Sequence, residues 1–397
     1  MNWKRKSERN WGRLDMKCKL EEICLFRMEK TNVANLTTKT YISTENMLPN
    51  KSGIVNATSL PTVNLTRAFE NGDVLVSNIR PYFKKIWKAR INGGCSNDVL
   101  VFMAKEDIDS DFLYYVLADD AFFAYAMATS KGTKMPRGDK KSIMQYEVPC
   151  YDVETQQKIA SILKSIDEKI ELNNAINNNL LEQVLSIYRH RFIDTANELR
   201  QTCRADEYFD ISIGKTPPRK ELQWFSTNPK DVTWVSISDM GTCGLYISES
   251  SEQLTREAVD RHNVKIVPDN TILLSFKLTV GRIAITNGKM STNEAIAHFK
   301  TDKKEINEYL YCYLKYFNYQ TMGSTSSIAT AVNSKIIKSM PFVIPTDDEI
   351  NEFHSLAAPM FAKIKANQSE ISNLTVLRDT LLPKLMSGEF DISDMDI

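Results

Sequence analysis

The sequence predicts an α+β protein: two mixed α/β globules separated by a pair of long antiparallel coiled-coil helices, organised as a pseudo-two-fold internal repeat. Three observations predict it: a short pattern that occurs twice, apolar runs that match around each copy, and a long helical pattern after each copy. A chain of 397 residues also exceeds what one hydrophobic core usually fills, so two domains or more are the default expectation.

The repeated pattern is GCSNDVLVFMA at 94–104 and MSTNEAIAHFK at 290–300. Both place a small residue, a hydroxyl, Asn and an acid before mostly apolar residues. Upstream, NGDVLVS (71–77) matches DNTILLS (269–275), each a strand-like run entered through a turn and ending in Ser. Downstream, DFLYYVL (111–117) matches EYLYCYL (308–314), two aromatic-rich helical stretches. Polar loops follow in both, and each copy closes on an apolar-Pro pair, Val148-Pro149 and Ile344-Pro345. The Asn-acid pairs Asn97-Asp98 and Asn293-Glu294 fall at the same place in this match. They are expected to hold a turn through side-chain-to-backbone bonds rather than to catalyse.

The first long helix is expected from Val153 to about Phe192, with apolar residues at Ile159, Ile162, Ile166, Ile170, Ile176, Leu180, Val184 and Tyr188. Asn173, Asn174 and Asn177 to Asn179 interrupt the stripe. The second opens on Thr346-Asp-Asp-Glu349, a capping-box pattern, and runs through Ile350, Phe353, Ala357, Ile364, Leu374 and Leu385, with Pro359 a candidate kink. Each would be about 55–60 Å long at about 1.5 Å per residue, too long to hide its stripe in one small domain. Mutual burial as an antiparallel coiled coil solves this; the alternative is that each helix packs onto its own globule. The asparagines either set register or face water.

Fifty basic residues balance fifty acidic ones, so any attraction to nucleic acid must be local. Seven cysteines, odd in number and without a CxxC pair, argue against a disulfide framework or zinc site and fit reduced thiols in a cytoplasm. No apolar leader region and no 18-residue apolar run is present, which predicts a cytoplasmic protein without a membrane partner. Enzyme motifs fail. GKT at 214–216 would need a further Gly where Phe209 stands, and the four histidines are not spaced for zinc. No dinucleotide fingerprint, nucleophile elbow or Asn-Pro-Pro-aromatic signature occurs, and adjacent carboxylates such as Asp119-Asp120 face different directions on a helix.

Local basic charge mixed with aromatics does rise above background. RPYFKKIWKAR (80–90) carries five cations and no acid, with Arg80, Tyr82, Lys84 and Lys85 the candidate DNA contacts. SKGTKMPRGDKK (130–141) adds Lys131, Lys134 and Arg137. The second half has a thinner set: Lys215 and Arg219 in GKTPPRK, Lys277 and Arg282 in SFKLTVGR, and the polar loop GSTSSIATAVNSK with Ser324, Ser326 and Asn333. Solvated surface is the plainer reading of each stretch taken alone. A shared scaffold with different loops would read different sequences.

In this order, YISTENMLPN, GDVLVSNIRPYFKKIWKA and GCSNDVLVF, then WVSISDMG, LSFKLTVGRIAI, STNEAIAHF and GSTSSIATAVNSKIIKSMPFVIP, resemble the specificity (S) subunit of Type I restriction-modification systems. QQKIASILKSIDEKIELN and LLPKLMSGEFD resemble its two spacer-helix regions. The resemblance implies target recognition domains at 1–152 and 198–345, a central spacer helix at 153–197, and a C-terminal spacer helix and tail at 346–397. It implies a non-catalytic subunit that reads a split site in double-stranded DNA and docks two modification (methyltransferase) subunits and restriction subunits. S-adenosylmethionine and ATP would bind those partners, leaving this chain with no cofactor or metal. The basic lead-in at 1–11 matches no family motif. A stand-alone nuclease or methyltransferase, and a pure assembly scaffold, are the competing readings.

Overall fold

The computed structural model describes residues 17–195, 200–322 and 332–390. The chain forms two compact units, residues 1–170 with 373–397, and residues 171–372.

In the first unit, Val74–Ser77 is buried along its whole length as an inner strand of an antiparallel sheet. The sheet order is Cys24–Phe26, Val99–Ala104, Val74–Ser77, Ile86–Lys88. A strand covered on both faces reads as continuous apolar sequence rather than as an alternation. A second sheet runs Lys30–Asn32, Leu65–Phe69, Gly93–Cys95, Tyr41–Ile42, its last pair parallel. Helices Ser110–Ala118 and Asp120–Ala128, capped by the Asp109 and Asp119 carboxylates, bring Phe112, Leu113, Phe122 and Phe123 to the core. Ile159, Leu163, Leu382 and Leu385 of the long helices join it. Each such side chain contributes roughly 1.5–3 kcal/mol by leaving water.

The second unit repeats this plan. Its main sheet is ordered Asp210–Ile213, Ile296–Lys300, Ile272–Ser275, Ile283–Thr286, Tyr246–Ile247. Trp234-Val235 pairs in parallel with Ser291-Thr292, as Tyr41-Ile42 pairs with Gly94-Cys95. Helix Asn307–Tyr316 supplies Tyr309, Leu310 and Leu314 to a core shared with Phe299, Phe342 and Phe353.

The strand register corrects the sequence match by one residue. Ser77 faces Val99 and Ser275 faces Ile296, while Ile42 faces Cys95 and Val235 faces Thr292. Ser96 is therefore the counterpart of Asn293, and Asp98 that of Ala295, whose carbonyls accept from Asn78 and Phe276 respectively. Asn293 makes the expected turn bond, its Oδ1 accepting from the Ala295 amide at 3.1 Å. Asn97 stands one position later and is exposed. The two Asn-acid pairs are thus alike in composition but not in place.

The first long helix is Val153–Tyr188, widening into a π-helical turn at Arg189–Asp194; the second is Asp347–Ser387 and is continuous through Pro359. The capping box forms: the Thr346 amide donates to Glu349 Oε2 at 2.8 Å, and the Glu349 amide to Thr346 Oγ1 at 3.2 Å. Within each unit the segments of these helices run antiparallel and pack together. In the first, Tyr151 Oη donates to the Leu385 carbonyl at 3.1 Å, and Asp167 accepts from Arg378 and Tyr115, both at 2.9 Å. In the second, Asn173 donates to Glu370 at 3.0 Å, Asn367 to Asn177 at 2.8 Å, and Arg191 to Glu352 at 2.8 Å. Asn173 and Asn367 are buried, 1% and 0% exposed, so they act on register, whereas Asn174, Asn178 and Asn179 face water.

Candidate functional site

The basic stretches of the first unit meet at one hairpin tip. Residues 78–85 connect Val74–Ser77 to Ile86–Lys88, and the 130–138 loop is zipped to them: Ile79 bridges Arg137, and the Arg80 amide donates to the Pro136 carbonyl at 2.8 Å. On the other side, the Asn50 and Lys51 amides donate to the Phe83 and Lys84 carbonyls at 2.8 and 2.9 Å. These contacts hold Arg80 and Lys84 at φ of 51° and 50°, a left-handed conformation that side chains larger than glycine rarely adopt.

The structure brings Arg80, Tyr82, Lys84, Lys85, Lys131 and Arg137 to this tip and its loops, with Lys134 exposed in the same loop as Lys131. Tyr82 is 49% exposed and its ring lies 4.6 Å from that of Phe83. Several cations already have partners. Lys84 bonds Asp120 at 2.7 Å, Lys131 bonds Asp139 at 2.5 Å, and Arg137 bonds Asp98 at 3.1 Å. Burial pushes the Asp120 carboxyl up, but hydrogen bonds from Lys51 and Lys84 outweigh it and hold the group below its ordinary value. Exposed pairs of this kind are weak, so a phosphate can replace the carboxylate at small cost.

Lys85 is placed differently. Its Nζ donates to the Thr44 carbonyl at 2.6 Å, and desolvation lowers its pKa. In the second unit Arg282 does the same: its guanidinium donates to the Ile237 carbonyl at 2.5 Å. The Ser77 amide donates to the Lys85 carbonyl and the Ser275 amide to the Arg282 carbonyl, so the two cations are counterparts. Thr44 and Ile237 are counterparts too, each the second residue after a strand end that is matched in register, Ile42 and Val235. A side chain at Gly241 would collide with the Arg282 guanidinium, which fits glycine there. Both cations pin the hairpin to the neighbouring loop.

Lys277 and Arg219 of the second unit lie near Glu294, which accepts a short hydrogen bond from Thr216. Burial raises the Glu294 carboxyl, but the Thr216 bond, backbone bonding and the Lys277 and Arg219 charges leave it lowered. Arg219 stacks over Phe225 and Trp234 at 4.3 and 4.6 Å and pairs with Glu252 at 2.8 Å. Lys215 is exposed, and its carbonyl accepts from Trp234 Nε1 at 3.1 Å. Asn333 caps the short helix Ser334–Lys338, its Oδ1 accepting from the Lys335 and Ile336 amides at 3.0 Å each, so that oxygen is engaged by backbone. Ser324 and Ser326 lie outside the described residues.

Sequence reasoning missed Lys51, and it named Thr216 only within the failed GKT match and Glu294 only as half of a turn-holding pair. For Lys51 the advance signal was the turn-forming PNKSG stretch around it. Among the described residues no group of three or more His, Cys, Asp or Glu is placed to hold a metal, and no helix is long and apolar enough to cross a membrane. The second unit also has a cavity of about 440 Å³ lined by Tyr188, Phe192, Tyr309, Tyr313, Tyr316 and Phe317 among others. Among the described residues its one charged lining residue is Arg200, which pairs with Glu349 at 2.8 Å and lies over Phe192. That lining offers packing rather than proton transfer. The tips present cations, amides and aromatic edges, groups that suit phosphates and base edges.

Comparison with known proteins agrees with this chemistry. The model of the Type I restriction modification DNA specificity domain matches the chain twice, over residues 16–182 and 198–369. The Type I restriction enzyme MjaIX specificity subunit of Methanocaldococcus jannaschii is 27% identical, over 83% of this chain and 80% of its own length. The HindI specificity subunit of Haemophilus influenzae is 24% identical, over 88% and 94%. The solved S subunit of a Type I restriction-modification system from M. genitalium is 17% identical over 95% of this chain and 96% of its own, with a TM-score of 0.52, a likeness of fold. With both of its matched stretches together spanning most of its length, the chain belongs to the Type I restriction-modification DNA specificity family.

Proposed function

We propose that each unit reads one half of a two-part site in double-stranded DNA, and that this chain is not itself catalytic. The two long helices set the number of unread base pairs between the halves and dock two modification subunits, with restriction subunits joining that complex. S-adenosylmethionine and ATP are bound by those partners. The observation that carries this reading is the duplicated hairpin: the same strand serine and the same pinned cation recur in both units, Ser77 with Lys85 and Ser275 with Arg282, while the residues between them differ. A shared frame with exchanged tips is what two reading heads for different sequences require.

The test is to map methylated bases genome-wide in a strain carrying this chain with its modification subunit. A single split motif with a constant gap is expected. Methylation or cleavage of DNA by the purified chain alone would overturn the non-catalytic assignment.

A further inference from the structure

Leu278 is 99% exposed and sits at φ of 59°. A bulky apolar side chain held fully in water, on a backbone conformation it disfavours, gains nothing for the fold of this chain. The loop enforces the conformation. The Thr279 amide donates to the Lys277 carbonyl at 2.6 Å, closing a γ-turn centred on Leu278. Ser275 Oγ donates to the Thr279 carbonyl at 2.6 Å and accepts from the Arg282 amide at 3.0 Å, tying both sides of the loop to the strand end.

The first unit also has a positive φ at the matching place. Ser77 and Ser275 are counterparts by register, and the third residue after each, Arg80 and Leu278, has a positive φ. The scaffold keeps a positive φ there in different forms, left-handed helical at Arg80 (φ 51°, ψ 65°) and a γ-turn at Leu278, and changes the side chain from a guanidinium to an isobutyl group. Arg80 is half-buried, so outward presentation belongs to the second unit, where the γ-turn and the two Ser275 bonds hold the leucine in water. Beside Leu278 stands Lys277, whose charge favours a phosphate-bearing surface over an apolar protein face.

We infer that Leu278 is a specificity-determining contact of the second unit: an apolar side chain pushed against a base edge or base step of duplex DNA. Two placements share this chemistry, contact with a thymine methyl group and partial insertion between stacked pairs. The inference rests on the DNA-reading function proposed above.

The experiment uses the full chain with its modification subunit and a pool of random-sequence duplexes, from which bound DNA is recovered and sequenced. Wild type, Leu278→Met, Leu278→Ala and Leu278→Ser are compared. Because the side chain is 99% exposed, truncation leaves the fold intact, which the melting temperature checks. The expected result is a split motif for wild type and Leu278→Met. Leu278→Ala and Leu278→Ser keep one half-motif intact and lose roughly tenfold discrimination at one or two positions of the other. Replacing thymine by uracil at the affected position reproduces the loss if the methyl group is touched. A rise in 2-aminopurine fluorescence on binding marks insertion instead. An unchanged motif in Leu278→Ala overturns the inference, and an unchanged motif with weakened assembly places the leucine on the protein partner. A wild-type pool without any motif sinks the DNA-reading function itself.

Discussion

The Lys85 ammonium donates to the Thr44 carbonyl at 2.6 Å, while its neighbour Lys84 reaches the half-exposed carboxylate of Asp120. Adjacent lysines thus have separate tasks. Lys84→Ala should lower the slope of log affinity against log salt by about one unit, as expected when one phosphate contact is lost. Lys85→Ala should leave the slope nearly unchanged and lower the melting temperature. Anisotropy titrations across a salt series read the difference, and an equal slope loss in both variants would place Lys85 on a phosphate.

Asp167 joins Tyr115 of the first globule to Arg378 of the second long helix, within the first unit. Asp167→Ala leaves the Arg378 guanidinium with the half-exposed Asp379 as its carboxylate partner and should cost about 1–3 kcal/mol in urea unfolding. Tyr115→Phe should cost about 1 kcal/mol. Because the two share one carboxylate, the double variant should cost less than the sum, and strict additivity would show that the groups act independently.

His298 is fully buried between Ser212 and Thr292, at 3.0 and 2.7 Å. Desolvation, with Lys300 adding to it, pushes its pKa down to about 3. The unfolded chain takes up this proton below about pH 6.5, the folded chain only near pH 3. The stabilisation is therefore complete above that upper value and is lost as pH falls through the window, at up to about 1.4 kcal/mol per pH unit. Val101 fills the matching position of the first unit. His298→Val should flatten the acid slope while costing about 1–3 kcal/mol at pH 7 through lost hydrogen bonds. Thermal melts from pH 7 to pH 4 provide the check; an undiminished slope would assign it to other groups.

Seven residues added to both long helices beside the Asn173 and Asn367 positions should lengthen the pair by about 10 Å. At about 3.4 Å per base pair, the methylated motif should gain roughly three unread pairs and keep both half-sites. An unaltered gap would remove the helices from the setting of spacing.

The repeat was legible because buried strands such as Val74–Ser77 and Ile272–Ser275 are apolar up to a closing serine, and the helix pair because its stripes and capping box are local in sequence. The register was not, since Ser96 and Asn97 offer similar chemistry and only strand pairing decides which one faces Asn293's place. The pinned cations were equally hidden. Lys85 and Arg282 look like free charges in a basic loop, but their carbonyl partners lie 41 and 45 residues upstream. Leu278 escaped because a lone leucine in a loop carries no sign of its exposure or its φ.

Gln368 of the second long helix accepts from the Tyr246 amide at 3.0 Å and donates to the Tyr246 carbonyl at 3.1 Å. Tyr246–Ile247 is the outermost strand of its sheet, a row of open amides and carbonyls where a foreign chain could add itself. One carboxamide imitates the next rung and closes that border. Its removal would leave a sticky margin, so that self-association at high concentration, rather than loss of folding, is the defect to look for in Gln368→Ala.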